Sequence, residues 1–249
     1  MDLKYSYKTD IGRVRSHNED AVQIFTNEQM LVMVVADGMG GHTSGDVASR
    51  IAVQFANAKF DDELSFASKE DASVWFADVF EAVNTDILNY TYKYNVKKMG
   101  TTMVMAAINK NFIAFANIGD SRAYVLAYDK LRQITTDHTF VRELVDKGQI
   151  SERAAKLHPQ KNVINKALGA SEVLEFDLLT LEHYDVDAIL LCTDGLTGLV
   201  EDQEILAVLK TDIDTNAKVD QLIMKANTRG GRDNVSIALV EFKEGSTSK

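Results

Sequence analysis

The sequence predicts an α+β protein with helices packed outside antiparallel sheets, and three observations carry that prediction. Apolar runs of strand length recur along much of the chain. Short polar connections join some of them as hairpins: Asn109-Lys110-Asn111 separates two apolar runs, and Tyr128-Asp129-Lys130 marks a second turn. Helical patterns come in blocks rather than after every strand, which disfavours a doubly wound parallel sheet.

Strands are expected at Ser6–Thr9, Ala21–Phe25, Met30–Ala36, Thr102–Asn109, Phe112–Ile118, Ala123–Tyr128, Leu131–Ile134, Val173–Leu181, Ala188–Thr193 and Val235–Glu241. A helix over about Ser44 to Lys59 would bury Val47, Ile51 and Phe55, with Thr43 or Ser44 as its N-cap. A longer one, about Asp71 to Tyr94, sets Val74, Trp75, Val79, Val83, Ile87 and Tyr90 on one side. Shorter helices are expected at Phe140–Lys147, Asp202–Leu209 and Asn216–Ala226. The aromatics Trp75, Phe76 and Phe80 read as core packing rather than a cofactor site.

The 249 residues suit one domain, expected over 1–242, with a disordered tail at 243–249. A formal net charge of -10 argues against a nucleic-acid partner, because phosphate backbones need a basic face. The single cysteine, Cys192, excludes disulfides within the chain and reads as a small buried hydrophobe. No apolar run approaches the ~20 residues that cross a bilayer, and the amino terminus lacks a signal-peptide core. A cytoplasmic monomer is therefore expected.

Four aspartates stand where apolar runs meet turns. Asp37 opens Asp37-Gly38-Met39-Gly40-Gly41-His42, and Asp194 opens Asp194-Gly195. Asp120 closes Asn117-Ile118-Gly119-Asp120, and Asp233 lies in Gly231-Arg232-Asp233-Asn234. Carboxylates gathered at the edge of a core repel one another unless cations neutralise them, and hard oxygen ligands suit magnesium or manganese rather than zinc. Asp20 would support the metal shell, and Arg13 would offer an oxyanion a bidentate fork. His42 either faces the same site or serves as an ordinary surface or capping residue. Alone, Arg13 reads as a solvated charge, the usual state of an arginine near a chain end.

Taken in order, several segments resemble the PPM metal-dependent serine/threonine protein phosphatases (type 2C), the compact bacterial members above all. They are Arg13-Val14-Arg15-Ser16-His17-Asn18-Glu19-Asp20, Val35-Ala36-Asp37-Gly38-Met39-Gly40-Gly41-His42, Gly100-Thr101-Thr102, Asn117-Ile118-Gly119-Asp120-Ser121-Arg122, Thr136-Asp137-His138, Ala167-Leu168-Gly169, Cys192-Thr193-Asp194-Gly195 and Gly231-Arg232-Asp233-Asn234-Val235-Ser236. The resemblance implies a four-layer α-β-β-α sandwich, two antiparallel sheets flanked by helices, with a flap at about 139–169 beside the site. In that flap, relatives often carry threonine-arginine where this chain has Asn165-Lys166. His138 and His158 in or beside it read as surface residues or substrate contacts.

By the same resemblance, Asp37 bridges two Mn²⁺ or Mg²⁺ ions, the Gly38 carbonyl ligates one, and Asp194 and Asp233 complete the other's shell. A third, weaker metal would use Asp120 and Asp194. Arg13 matches the phosphate-binding arginine, His42 the general acid, and Asp20 a residue that orients water. The implied reaction is hydrolysis of phosphoserine and phosphothreonine in proteins, by a metal-bridged hydroxide attacking phosphorus in line without a phosphoenzyme. Implied partners are phosphoproteins and an opposing serine/threonine kinase. Other readings are a catalytically weak phosphoprotein-binding regulatory module and a metal phosphodiesterase or small-molecule phosphatase.

Overall fold

The computed structural model describes residues 3–40, 44–96, 98–182 and 185–242. Two sheets, antiparallel throughout, organise the chain. One runs in the order β1 (Leu3–Asp10), β11 (Val235–Phe242), β10 (Val186–Cys192), β7 (Arg122–Ala127) and β8 (Lys130–Gln133). The other runs β2 (Asp20–Thr26), β3 (Met30–Gly40), β5 (Met103–Asn109), β6 (Phe112–Ile118) and β9 (Asp177–Glu182), with β4 (Met99–Thr101) paired to the far end of β3. Both expected hairpins form. At the second, Tyr128 and Asp129 both take positive φ, the geometry of a type I′ turn matched to strand twist.

Helices α1 (Ser44–Lys59) and α2 (Lys69–Tyr94) cover the outer face of the β2-β3-β5-β6-β9 sheet. Helices α5 (Asp194–Thr197), α6 (Asp202–Leu209) and α7 (Thr215–Thr228) cover the other. The apolar residues fall into three clusters, one between the sheets and one under each helical layer. On β3, Val32 and Val34 face the helices while Met33 and Val35 face the opposite sheet. Both faces are covered, so the strand is a continuous apolar run rather than an alternating one. This is the four-layer sandwich expected.

Several boundaries differ for identifiable reasons. Strand β3 does not end at Ala36 but continues to Gly40, because β4 pairs Gly38 with Thr101 and Gly40 with Met99. The Asp37–Gly40 stretch is thus strand, not loop. Helix α2 starts at Lys69, where Ser68 and Asp71 form a reciprocal capping box. Val74 leaves the predicted core stripe and is 62% exposed, since Trp75, Phe76, Val79, Phe80 and Val83 fix which face is inward. Strand β9 begins at Asp177, not Val173, which is exposed. The flap carries the expected helix α3 (Phe140–Asp146) and a second helix, α4 (Glu152–Leu157), which was not among those expected.

The expected disordered tail 243–249, His42 and the Thr43 cap lie outside the described residues.

Candidate active site

The predicted aspartates gather at one end of the sandwich, and each sheet supplies part of the set. Asp20 and Asp37 are direct cross-strand partners on β2 and β3. Asp120 follows β6, Asp194 follows β10 at the start of α5, and Asp233 precedes β11. Like charges placed directly opposite on a sheet are destabilising, so this arrangement is unfavourable for the strands alone.

Backbone contacts fix Asp37. Its N–H donates to Thr102 Oγ1 at 3.0 Å, while Thr101 Oγ1 and the Thr102 N–H both donate to its carbonyl at 2.9 Å. The Gly100-Thr101-Thr102 motif therefore grips the peptide that presents the central carboxylate. Gly38 is equally constrained: a Cβ there would lie 2.0 Å from the Gly45 carbonyl oxygen of α1. Asp20 is buried, and its Oδ2 accepts from Thr193 Oγ1 at 2.9 Å, which ties the two sheets together.

The electrostatics follow from this crowding. Burial, then the charges of Asp20, Asp194, Asp120 and Asp233, hold Asp37 well above the usual carboxylate range. Burial raises Asp20 to about 7 against the hydrogen bonds of Ser236 and Thr193, which favour its ionised form. Asp120 is pushed up to about 8 by burial and then Asp194. Asp194 is raised to about 6 by burial and then Asp233, and it shares a side-chain hydrogen bond with Asp37.

This donor set fits divalent cations of the magnesium and manganese kind: carboxylates and a backbone carbonyl, crowded enough that positive charge relieves them. Among the described residues no three acidic, histidine or cysteine side chains close tightly enough to cage an ion by themselves.

The arginines are distributed differently from expectation. Arg15, not Arg13, reaches the acidic cluster: its Nη2 donates to Asp233 Oδ2 at 2.8 Å, and it also feels the charges of Glu19 and Asp37. Arg13 instead docks by its backbone N–H to the Gly231 carbonyl at 2.7 Å, with an exposed side chain and no ion pair among the described residues. Arg122 is committed elsewhere, held in a fork by Asp137 and donating to Tyr124 Oη. His138 is no surface residue. It is buried, its Nδ1 accepting from the Gly119 N–H and its Nε2 facing Asp177, so it braces the turn before Asp120.

Beside Asp120 and Asp194 a groove of about 880 Å³ opens between the flap helices and α5–α6, with Arg142, Lys156 and Lys161 along its flap wall. Cys192 is buried beneath the site, and burial pushes its thiol up to about 12, which removes it as a nucleophile.

Comparison with known proteins places the chain in a family. The family described as Protein phosphatase 2C matches residues 12–234. The chain is 39% identical over 237 residues to the serine/threonine phosphatase stp of Listeria innocua, covering 94% of each chain. It superimposes on the serine/threonine phosphatase Stp1 of Staphylococcus aureus with a TM-score of 0.91 at 35% identity, covering 98% of this chain and 96% of that one. The catalytic domain of the serine/threonine protein phosphatase PstP, crystallised with two manganese ions, gives 0.84 at 34% identity, with 96% and 97% covered. Over residues 12–234, this chain belongs to the protein phosphatase 2C family.

Proposed function

We propose that this protein hydrolyses phosphoserine and phosphothreonine esters in proteins, using Mn²⁺ or Mg²⁺, and thereby opposes a serine/threonine protein kinase. The observation that carries the reading is the convergence of Asp20, Asp37, Asp120, Asp194 and Asp233 from both sheets, with Arg15 reaching into the same cluster.

Asp37, the Gly38 carbonyl, Asp194 and Asp233 would hold two cations, and Asp120 with Asp194 a weaker third. Bound divalent metals would supply an activated water at neutral pH and charge neutralisation at phosphorus. Arg15 is the residue of choice for the phosphate, since its fork already spans toward a carboxylate oxygen and a phosphoryl oxygen presents the same acceptor. Asp20, held by the Thr193 hydroxyl, would orient the attacking water through its carboxylate. His42, in the role the resemblance implies, would return a proton to the leaving serine or threonine oxygen. The groove between flap and α5–α6 gives the polypeptide on either side of the phosphoresidue room to lie.

The test is phosphate release from a phosphothreonine peptide by chelator-treated protein, with and without added Mn²⁺. Strong Mn²⁺ dependence is expected. Binding of the phosphopeptide with no turnover in saturating Mn²⁺ would overturn the proposal in favour of a phosphoprotein-binding module.

A further inference from the structure

Asn234 joins two loops that contribute separately to the site. Its Nδ2 donates to the carbonyls of Ile11 and His17, both at 2.9 Å, and its Oδ1 accepts from the Glu19 N–H at 2.8 Å. The side chain is buried, at 5% exposure. These contacts clasp both ends of the irregular segment between β1 and β2, and Arg15 lies at the middle of that segment. The turn that bears Asn234 provides the rest of the segment's support. Gly231 accepts from the Arg13 N–H at 2.7 Å, and Gly12, at φ +82°, sits so close that a Cβ would lie 2.3 Å from the Asp233 carbonyl oxygen.

We propose that Asn234 is a positioning residue that holds the Arg15 loop in place, so that one short turn sets both the metal-facing Asp233 and the phosphate-facing arginine. The inference rests on the reading of Arg15 given above. The chemistry explains the residue type. Two carbonyls and one N–H ask for two donors and one acceptor in a plane, which a carboxamide supplies and a carboxylate does not. The bond from the Asn234 N–H to Asp233 Oδ1 does not involve the Asn234 side chain, so substitution removes the loop's contacts and leaves that contact of Asp233 in place. A loop held beforehand spares the arginine the ordering cost when phosphate arrives.

The experiment compares Asn234→Ala, Asn234→Asp, Arg15→Ala and the Asn234→Ala/Arg15→Ala double variant at saturating Mn²⁺. Inhibition by inorganic phosphate, KM and kcat for a phosphopeptide, Mn²⁺ binding by calorimetry, and tryptic cleavage after Arg13 and Arg15 are recorded. Asn234→Ala should raise the inhibition constant for phosphate and KM about tenfold, the worth of one or two hydrogen bonds, with a smaller change in kcat. Cleavage after Arg13 should accelerate while Mn²⁺ binding holds. The double variant should bind phosphate no more weakly than Arg15→Ala, because both act through one contact.

Additive losses, or unchanged phosphate inhibition with unchanged cleavage, would overturn the proposal. A loss of Mn²⁺ affinity matching the loss of activity would do so too, by assigning Asn234 to Asp233 instead. Should Arg15→Ala leave phosphate inhibition unaltered, the role of Arg15 itself fails, and the cleavage rate still decides whether Asn234 holds the loop. Asn234→Asp keeps the volume and the Glu19 contact, so it serves the same readouts if the alanine variant does not fold.

Discussion

Replacing Asp20 by asparagine should strengthen the metal-free fold while weakening its hold on Mn²⁺, two effects of opposite sign from one charge. Burial is the first cause of its raised proton affinity, followed in the same direction by Asp194 and Asp233. Carried from 3.8 to about 7, at ~1.4 kcal/mol per tenfold, its ionised form disfavours folding by at most ~4 kcal/mol. Asp194 and Asp233 share in that repulsion, so ~2 kcal/mol is taken for Asp20 alone. The folded-state value is raised, so no penalty exists below the unfolded value. It grows as pH climbs and is complete once pH passes the folded value. An asparagine keeps an oxygen for Thr193 Oγ1 to donate to and carries no charge at any pH. In chelator at pH 8 the variant should therefore melt about 4–8 °C above the parent, and at pH 5 the gain should shrink by more than half. In parallel, Mn²⁺ should stabilise the variant less than the parent at pH 8. A variant melting at or below the parent at pH 8, or a gain equal at both pH values, would refute this account of the cluster.

Asp37→Ala removes the carboxylate that the other four crowd around, and should lower kcat by ~10³ or more while the chain remains folded; phosphate release within tenfold of the parent would break the metal assignment. Lys218→Ala should cost about 3 kcal/mol in denaturant unfolding, since Lys218 is a buried residue of α7 and pairs with Glu241 at 2.5 Å and the Leu209 carbonyl at 2.8 Å. Turnover per folded molecule should be unchanged there, because the pair lies under the helical layer away from the aspartates. Cys192 should resist alkylation in the native protein at pH 8 and react promptly in denaturant, as its burial and raised thiol dictate; labelling at equal rates in both states would contradict its position in the core.

What was legible in the sequence followed periodicity and covered faces. Strand β3 could be found because helices cover one side and a sheet the other, leaving no polar residue from Met30 to Ala36. Strand β9 was blurred because it is a half-exposed sheet edge with no alternation to mark where it starts. Helix α4 has one buried residue, Ala155, so it carried no apolar stripe; its only available signal was Ser151, whose side chain caps the helix by accepting from the Ala154 N–H. The aspartates were readable because each stands at or near the end of an apolar strand. Arg15 was not, since residues 11–19 form no regular element and spacing could not decide which of Arg13 and Arg15 turns inward. Thr101, Thr102, Thr193 and Asn234 escaped for a related reason: they act through backbone atoms and neighbouring carboxylates brought close only by the sheets.

The division of labour between core and site explains how such a cluster is tolerated. Three apolar layers run through the sandwich, and none of them depends on the aspartates. Their burial, at ~25 cal/mol per Å², outweighs a few kcal/mol of carboxylate repulsion at one end. The repulsion is therefore stored in the folded state rather than relieved by unfolding, and two kinds of neutraliser compete to relieve it: protons and divalent cations. As pH rises from 5 to 8 protons leave, the repulsion grows, and a cation gains correspondingly more by binding. Metal affinity should thus climb over the range in which Asp20, Asp120 and Asp194, raised to about 7, about 8 and about 6, give up their protons. The strain at the end of the sandwich is then also the source of its affinity for metal, because a site of solvated, well-separated carboxylates would gain far less from the same ion.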